Sequence, residues 1–351
     1  MIKNIILVYP SFERGGVKKN FLSYLDALNN KNINVYIISD KKLLGEVKKK
    51  KNIKIFITKN YKLNFIYKYI SSINSAYKIF QIKNLIKTNN LRVISFQSSF
   101  FSSIICKILG FKLIVRVSED PLGATKYSDN FVLGFMVMLS KIITYNLSYK
   151  ILVNSKMMKL SLKKLVFYKK KIVLQHNMHL KSIKNFNIQN KKNIFLNIGR
   201  FCKQKNQNII LKAFQLFVEK NKNYQLYLCG DGPDSQKLKN LCINLNLTKY
   251  VKFFAWKEDT KKFLLKSKYF VFPSLYEGLP NVLIDAVNND LVCLCSEVSG
   301  VSDICGKDYI SINKNNEYEV FSKMQLAVNR YKELAKKNIF KKKKLDKFLF
   351  K

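Results

Sequence analysis

Acidic residues are scarce in this chain. Asp and Glu together number 22 against 64 Lys and Arg, a formal net charge of +42 in 351 residues. Such a balance points to an anionic partner: nucleic acid, a membrane surface or a phosphorylated ligand. Lys, Asn and Ile are also abundant throughout, so a compositional bias that fills the surface with lysine is the competing explanation. Gly (12) and Pro (5) are few, which excludes collagen-like and linker-type chains. Only two histidines occur, His176 and His179, which argues against Ser-His-Asp hydrolysis. Their i, i+3 spacing has no Cys or carboxylate nearby in sequence to complete a metal site. The seven cysteines are odd in number and contain no C-x2-C pair, so a zinc site is not expected. They read as small buried hydrophobes in a reducing cytoplasm. No D-x-D pair is present, so none of the usual metal-diphosphate ligands is supplied.

Long hydrophobic runs are missing as well. The apolar run Ile5–Tyr9 is too short for a secretory signal core and reads as a first strand. The longest apolar stretch, Asn130–Tyr145, is interrupted by Ser140 and Lys141 and falls short of a spanning helix. The expectation is a cytoplasmic protein without transmembrane segments.

What is present is a globular composition, 48% hydrophobic, with strand-like runs alternating with amphipathic ones. Strands are predicted at Asn4–Tyr9, Val35–Ser39, Ile53–Thr58, Val93–Phe96, Lys112–Val117 and Lys150–Asn154. Helices are predicted at Val17–Asn29 and Lys62–Thr88. The pattern restarts after about residue 190. Strands are then predicted at Ile194–Ile198, Gln225–Cys229, Val251–Phe254, Tyr269–Phe272 and Val292–Cys295, and helices at Asn208–Asn221, Ser235–Leu245 and Leu279–Asn288. Strands alternating with helices imply parallel βαβ units, and two such series imply two Rossmann-like, doubly wound halves. The polar segment His179–Lys192 marks the boundary.

The charge is uneven. Residues 1–180 hold 32 Lys+Arg and 7 Asp+Glu, net +25; residues 181–351 hold 32 and 15, net +17. Lys41–Lys54 is a lysine cluster, Tyr61–Lys87 alternates aromatics and lysines at helical spacing, and Lys341–Lys351 is basic and apolar. Such a segment either lies on an anionic membrane or is an ordinary helix with one core face and one solvated face.

Three motifs carry chemistry. Ser11–Val17 follows the first strand and contains Gly15-Gly16, where a backbone can approach a ligand or simply turn. Asn197-Ile-Gly199-Arg200-Phe-Cys-Lys203-Gln-Lys205-Asn206 follows the strand Ile194–Ile198. Strand ends of open α/β sheets bind ligands, and Arg200 with Lys205 would neutralise a diphosphate by a fork of donors and a point charge. Val271-Phe-Pro-Ser274-Leu-Tyr-Glu277-Gly278-Leu279-Pro280-Asn281 leads from a strand into a helix starting near Pro280. Amides at a helix start have no intrahelical partner and can receive phosphate oxygens. Glu277 and Asp285 can accept hydrogen bonds from ligand hydroxyls.

Together with Cys229-Gly-Asp-Gly-Pro233 and Ser296–Gly306, these motifs resemble the retaining family 4 glycosyltransferases of the GT-B fold. The likeness runs over nearly the whole chain and is most specific over residues 194–305. It implies an α/β GT-B architecture, two Rossmann-like parallel-sheet domains facing a central cleft. The implied division is 1–180 (acceptor side), 181–325 (nucleotide-sugar binding) and 326–351 (a helix returning to the first domain, then a basic tail). Arg200 and Lys205 match the residues that hold the donor diphosphate. Glu277 with Gly278, Leu279, Pro280 and Asn281 matches the loop around the donor sugar and phosphates. Asp285 matches the second carboxylate of the family's E-x7-E element, on the ribose. Gly199 belongs to the same donor loop, and Gly15 and Gly16 match the glycine loop that faces the donor. The chain departs from the pattern where Asp285 and Asp303 replace glutamates, and at Ser118, where many relatives carry an acceptor-side His. Glu119 or Asp120 would take over acceptor positioning or proton transfer.

The implied activity is metal-independent transfer of a sugar, with retention, from a nucleotide-diphosphate sugar. Uridine is the common base in this group. Arg200, Lys205 and Glu277 are the candidate catalytic groups. A lipid-linked oligosaccharide or a lipopolysaccharide precursor is the expected acceptor, at the inner face of the cytoplasmic membrane. No cofactor and no nucleic-acid partner is expected. The alternatives are an epimerase or hydrolase of the same fold, a degenerate relative that binds without catalysing, and a basic nucleic-acid-binding protein. The last lacks any RNP, KH or zinc-finger pattern.

Overall fold

The computed structural model describes residues 4–10, 16–29, 33–47, 51–58, 65–86, 90–96, 99–177, 191–255 and 260–335. They fall into two compact units, the first ending at Asn177 and the second starting at Lys191 among the described residues.

The first unit runs β1 (Asn4–Tyr9), α1 (Gly16–Asn29), β2 (Asn34–Ser39), β3 (Ile53–Ile57), α2 (Phe65–Ile86), β4 (Leu91–Ser95), α3 (Phe100–Ile108), β5 (Lys112–Val117), α4 (Pro121–Lys126), α5 (Phe131–Leu147), β6 (Lys150–Val153), α6 (Lys156–Lys163) and β7 (Ile172–Leu174). Its seven strands lie in the order β3-β2-β1-β4-β5-β6-β7, all parallel. The strands are rich in Ile, Val and Leu because helices cover both faces, as buried parallel strands require. Ile5, Leu7 and Tyr9 point to the layer holding α1, where Phe21, Tyr24 and Leu25 meet them. Ile6 and Val8 point to the opposite layer, built from α2, α3, α5 and α6.

The second unit runs β8 (Lys192–Ile198), α7 (Gln207–Lys220), β9 (Gln225–Cys229), α8 (Ser235–Asn244), β10 (Val251–Phe254), α9 (Lys261–Lys266), β11 (Ser267–Phe272), α10 (Asn281–Asn288), β12 (Val292–Ser296), α11 (Val301–Cys305), β13 (Ile310–Ile312), α12 (Glu317–Asn329) and α13 (Tyr331–Ala335). Its six strands are parallel, in the order β10-β9-β8-β11-β12-β13. Phe195, Tyr269 and Val271 face α7, α8 and α12, while Leu196, Phe270 and Phe272 face α9, α10 and α11. Phe195 stacks on Tyr269 with centroids 4.5 Å apart. Replacing so enclosed a ring by Ala costs about 3–5 kcal/mol.

Both sheets are doubly wound about a reversal of strand order, between β1 and β4 in one unit and between β8 and β11 in the other. In open α/β sheets ligands bind outside the carboxyl ends of the strands at that reversal. The predicted strands are all found, within about two residues. Two edge strands of three residues, β7 and β13, are additional. Residues 326–335 pack on the second unit through α12 and α13. The remainder of 326–351 lies outside the described residues.

Candidate functional site

The loops after β8 and β11 leave neighbouring strands at the second unit's topological reversal, so the fold itself brings them together. The first begins at Gly199. Its N–H donates to the Cys229 carbonyl at 3.0 Å, carrying strand pairing one residue past β8. Phe201 N–H donates to Asp231 O (2.9 Å), and Asp234 N–H donates to Phe201 O (3.0 Å). This lacing brings two backbones into contact. A Cβ at Gly230 would stand 1.9 Å from Gly199 O, and one at Gly232 would stand 2.3 Å from Phe201 O. Glycine is therefore required at 230 and 232 by space. At Gly199 a Cβ would meet the Lys205 side chain at an ordinary 3.5 Å.

A single 3-10 turn, Lys203–Lys205, follows and ends at Asn206 in the left-handed conformation (φ 55°). Asn tolerates that region better than most residues. Here its amide also bridges, donating to Pro273 O (3.3 Å) and Lys314 O (2.8 Å). Gln204 Nε2 donates to Tyr276 O (2.9 Å), and Leu275 N–H donates to Gln204 O (2.8 Å). Lys314 Nζ donates to Leu275 O (2.6 Å). The loop after β8 thus holds the loop after β11 by its main chain.

Within that frame Lys205 Nζ forms an ion pair with Glu277 Oε1, and its ammonium sits 5.6 Å from the Phe272 ring centroid. Both side chains are largely covered. Glu277 therefore serves as the partner of Lys205. Gly278, Leu279 and Pro280 are buried. The Leu279 side chain belongs to the core of α9–α11, which leaves only its main chain for contacts outside that core. The structure starts α10 at Asn281, with Pro280 as N-cap, one or two residues later than the sequence suggests. Asp285 lies half-buried one turn into α10 and receives Asn289 Nδ2 on its carbonyl at 2.7 Å. Gly300, with φ +85°, backs this loop: a Cβ there would lie 2.4 Å from Gly278 O. Ser274 Oγ and Ser299 Oγ are buried without a hydrogen-bond partner among the described residues.

Arg200 is exposed at the loop's start, and among the described residues no carboxylate pairs with it. Gln207 Nε2 fixes its carbonyl at 3.1 Å. Arg200, Lys203, Lys205 and Lys314 against Glu277 and Asp285 leave this edge net positive. Covered hydroxyls and main-chain groups adjoin it. Such an arrangement can hold a diphosphate and hydrogen-bond a polyhydroxyl group.

The other predicted residues are in the first unit. Gly16 opens α1 and is exposed; Gly15 lies outside the described residues. Ser118 Oγ is covered and has no partner among the described residues. Glu119 pairs with Lys141 at 3.5 Å, and Asp120 caps α4 by accepting Gly123 N–H at 3.2 Å. His176 Nδ1 contacts Asn154 O at 2.8 Å, and His179 lies outside the described residues. No group of three or more His, Cys, Asp or Glu side chains that could hold a metal exists among the described residues. Six of the seven cysteines are buried, and burial pushes the Cys106 and Cys229 thiols up to about 12, which makes them unreactive.

Sequence reasoning passed over Arg116. It is buried on β5, where its guanidinium donates to Tyr24 OH (3.0 Å), Asn177 Oδ1 (2.8 Å) and Gln175 O (3.4 Å). It ties α1, β5 and the segment after β7 together through neutral acceptors. A lone Arg in a hydrophobic run was the available signal.

Residues 179–344 match the family model of Glycosyl transferases group 1. The chain is 38% identical over 104 residues to an uncharacterized glycosyltransferase, MJ1059, of Methanocaldococcus jannaschii, covering 30% of this chain and 26% of that protein. It is 27% identical to the capsular polysaccharide biosynthesis glycosyltransferase CapH of Staphylococcus aureus, over 64% of this chain and 65% of CapH. It is 32% identical to the UDP-Gal:alpha-D-GlcNAc-diphosphoundecaprenol alpha-1,3-galactosyltransferase of Escherichia coli, over 30% of this chain and 28% of that protein. These matches span between about a quarter and about two thirds of the relatives' lengths. Among solved structures, Anabaena Alr3699/HepE in complex with UDP and glucose superposes with a TM-score of 0.71 at 12% identity, covering 95% of this chain and 92% of that one. The fold is GT-B, and the match to the glycosyl transferases group 1 model falls on the second unit.

Proposed function

We propose that this chain, whose second unit matches the group 1 glycosyl transferase model, is a retaining, family 4 enzyme. It moves a sugar from a nucleotide-diphosphate sugar, a UDP-sugar, to a lipid-linked oligosaccharide or a lipopolysaccharide or capsule precursor. The observation that carries the reading is the Lys205–Glu277 pair, held between two loops at the strand-order reversal beside the exposed Arg200. The relatives' names, which include a diphosphoundecaprenol acceptor and capsular polysaccharide, support the acceptor class.

In the proposed reaction the bond between the sugar's anomeric carbon and the diphosphate oxygen breaks. A bond from an acceptor hydroxyl to that carbon forms on the same face, and the hydroxyl proton is released. Negative charge develops on the leaving diphosphate. Lys205 and Arg200 stabilise it, as preorganised cations do most effectively where water is excluded. Glu277 holds the Lys205 ammonium in place. Gly199 and Gly278–Asn281 offer main-chain groups to the phosphates and sugar, and Asp285 serves the ribose. Because these cations take the charge-neutralising role, the reaction is expected to need no metal and no cofactor. Of the acceptor-side candidates, Ser118 keeps unused hydrogen-bond capacity, while Glu119 and Asp120 have local partners. A lipid-linked acceptor places the reaction at the inner face of the cytoplasmic membrane.

The test is incubation of the purified chain with a panel of nucleotide sugars and vesicles carrying polyprenyl-diphosphate-linked acceptors, reading released nucleoside diphosphate. Release that requires acceptor, survives EDTA and is lost in Glu277→Ala supports the proposal. No donor bound or consumed, with tight RNA binding instead, overturns it.

A further inference from the structure

Apolar side chains are exposed very unevenly in this protein. Of nineteen exposed large hydrophobic residues among the described ones, seventeen are in the first unit and two, Ile243 and Tyr318, in the second. Fifteen of the seventeen lie on α2, α3, α5, α6 or the loop just after α6, the helices that cover one face of the sheet.

Helix α5 is the centre of this surface. Phe131, Val132, Phe135, Met136, Leu139 and Ile143 are all exposed, Phe131 by 86% and Phe135 by 60%. At about 100° per residue they fall within one stripe about 140° wide. The opposite side of the helix buries Gly134, Thr144 and Tyr145. A normal surface helix has its apolar stripe inward; α5 has one facing water as well. Nor is the helix loosely held. Asn130 caps it through Leu133 N–H (3.0 Å), and Asn146 binds Leu165 O and Phe167 N–H, both at 3.0 Å. Phe167, 88% exposed, thereby extends the apolar surface past the helix end.

The charge around the stripe is predominantly positive. Helices α2, α3, α5 and α6 contain no Asp or Glu, and from Asn130 to Asn177 there are nine lysines and no acidic residue. The nearest acids are Asp129, Glu119 and Asp120, the last two engaged with Lys141 and the α4 amides. A second copy of this chain would meet the same positive charge and be repelled. An anionic bilayer offers both an apolar interior for the stripe and phosphates for the lysines. At 17 residues α5 is no spanning helix, and no described helix is long and apolar enough to cross a membrane.

We infer that the outer surface of the α2–α3–α5–α6 layer is a docking face for an anionic lipid bilayer, with the α5 stripe inserting at the headgroup boundary. The inference deepens the lipid-linked acceptor reading and rests on it for its purpose. The test reads no sugar transfer, so either can fail without the other.

The experiment is flotation of the full chain with phosphatidylcholine vesicles with and without phosphatidylglycerol, alongside Phe135→Asp/Leu139→Asp, Lys163→Glu/Lys164→Glu and Ile243→Asp/Tyr318→Asp. Circular dichroism melts check folding; all substituted positions are at the surface. Wild type is expected to bind anionic vesicles at least tenfold more tightly than neutral ones. The first variant is expected to lose at least tenfold of that binding, the second to lose anionic preference, and the third to match wild type. Unchanged binding by Phe135→Asp/Leu139→Asp overturns the inference. So does a wild-type dimer, seen by light scattering, that this variant abolishes while vesicle binding persists.

Discussion

Gly300→Ala is the perturbation that best tests how the proposed donor loop is positioned. Two effects act at this position. Gly300 has φ +85°, and an L-residue in the left-handed region costs roughly 1–2 kcal/mol relative to glycine. The second effect is steric. The new methyl would lie 2.4 Å from Gly278 O, 2.8 Å from Leu279 Cα and 3.0 Å from Pro280 Cδ, all parts of a buried main-chain turn. Restoring ordinary contact moves that turn by about 1 Å, and a displacement of that size at a reacting centre costs about 10²-fold in rate. Gly110→Ala is the control: it has φ +69° at the end of α3, where Phe111 N–H donates to Cys106 O, and nothing lies within 4 Å of the added methyl. Both variants should lose about 1–2 kcal/mol in urea unfolding from backbone strain. Only Gly300→Ala should lose a further 1–3 kcal/mol, as overpacking does, and about 10²-fold in kcat/KM for transfer. If Gly300→Ala matches Gly110→Ala in both stability and rate, the argument that residue 300 sets the position of the Glu277–Asn281 loop is wrong.

Other substitutions probe separate links. Lys205→Met and Glu277→Gln should each destabilise the chain by about 1–3 kcal/mol, below the full value for a buried pair because Lys205 retains some exposure. A double-mutant cycle by urea unfolding should give a coupling of about 1 kcal/mol or more, and Lys205→Met should lower kcat by about 10²–10³-fold. Arg116→Ala should cost about 3 kcal/mol, read by thermal melting, because it takes the donor from Gln175 O and leaves a void beside Tyr24. Burial lowers the Lys191 ammonium to about 8 despite its bonds to Asn289 O (2.5 Å) and Ser267 O (3.1 Å) and the attraction of Asp290. Below that pH it is charged in both states and the burial penalty is complete; between it and the ordinary lysine value the unfolded chain holds more protons, so stability rises with pH. The difference in urea stability between wild type and Lys191→Met should therefore shift in favour of wild type by about 2 kcal/mol between pH 8 and 10, and a flat difference would contradict the assignment.

Much of the fold was legible because parallel strands buried on both faces are continuous Ile, Val and Leu runs between turn residues. β7 and β13 were not, since three residues carry no measurable period and β7 directly follows a lysine run. In the site, the residue types and their place at strand ends singled out Arg200, Lys205 and Glu277, while the pairing of the last two depends on adjacency of β8 and β11, which only the strand order supplies. The steric roles of Gly230 and Gly300 and the bridging by Gln204 and Asn206 are contacts between segments roughly 20 to 110 residues apart, without local signature. The α5 stripe was visible as an apolar run, but a helix apolar on both sides has no period to say which side faces solvent.

The bonds from Gln204, Asn206 and Lys314 to residues 273, 275 and 276 all end on carbonyl oxygens. Any residue has that oxygen. The loop's placement is thus indifferent to the side chains it displays, as a picture frame is to the picture. Variation at the half-buried Tyr276 leaves those bonds in place, so the loop's surface and the loop's position can be altered separately in this half of the molecule.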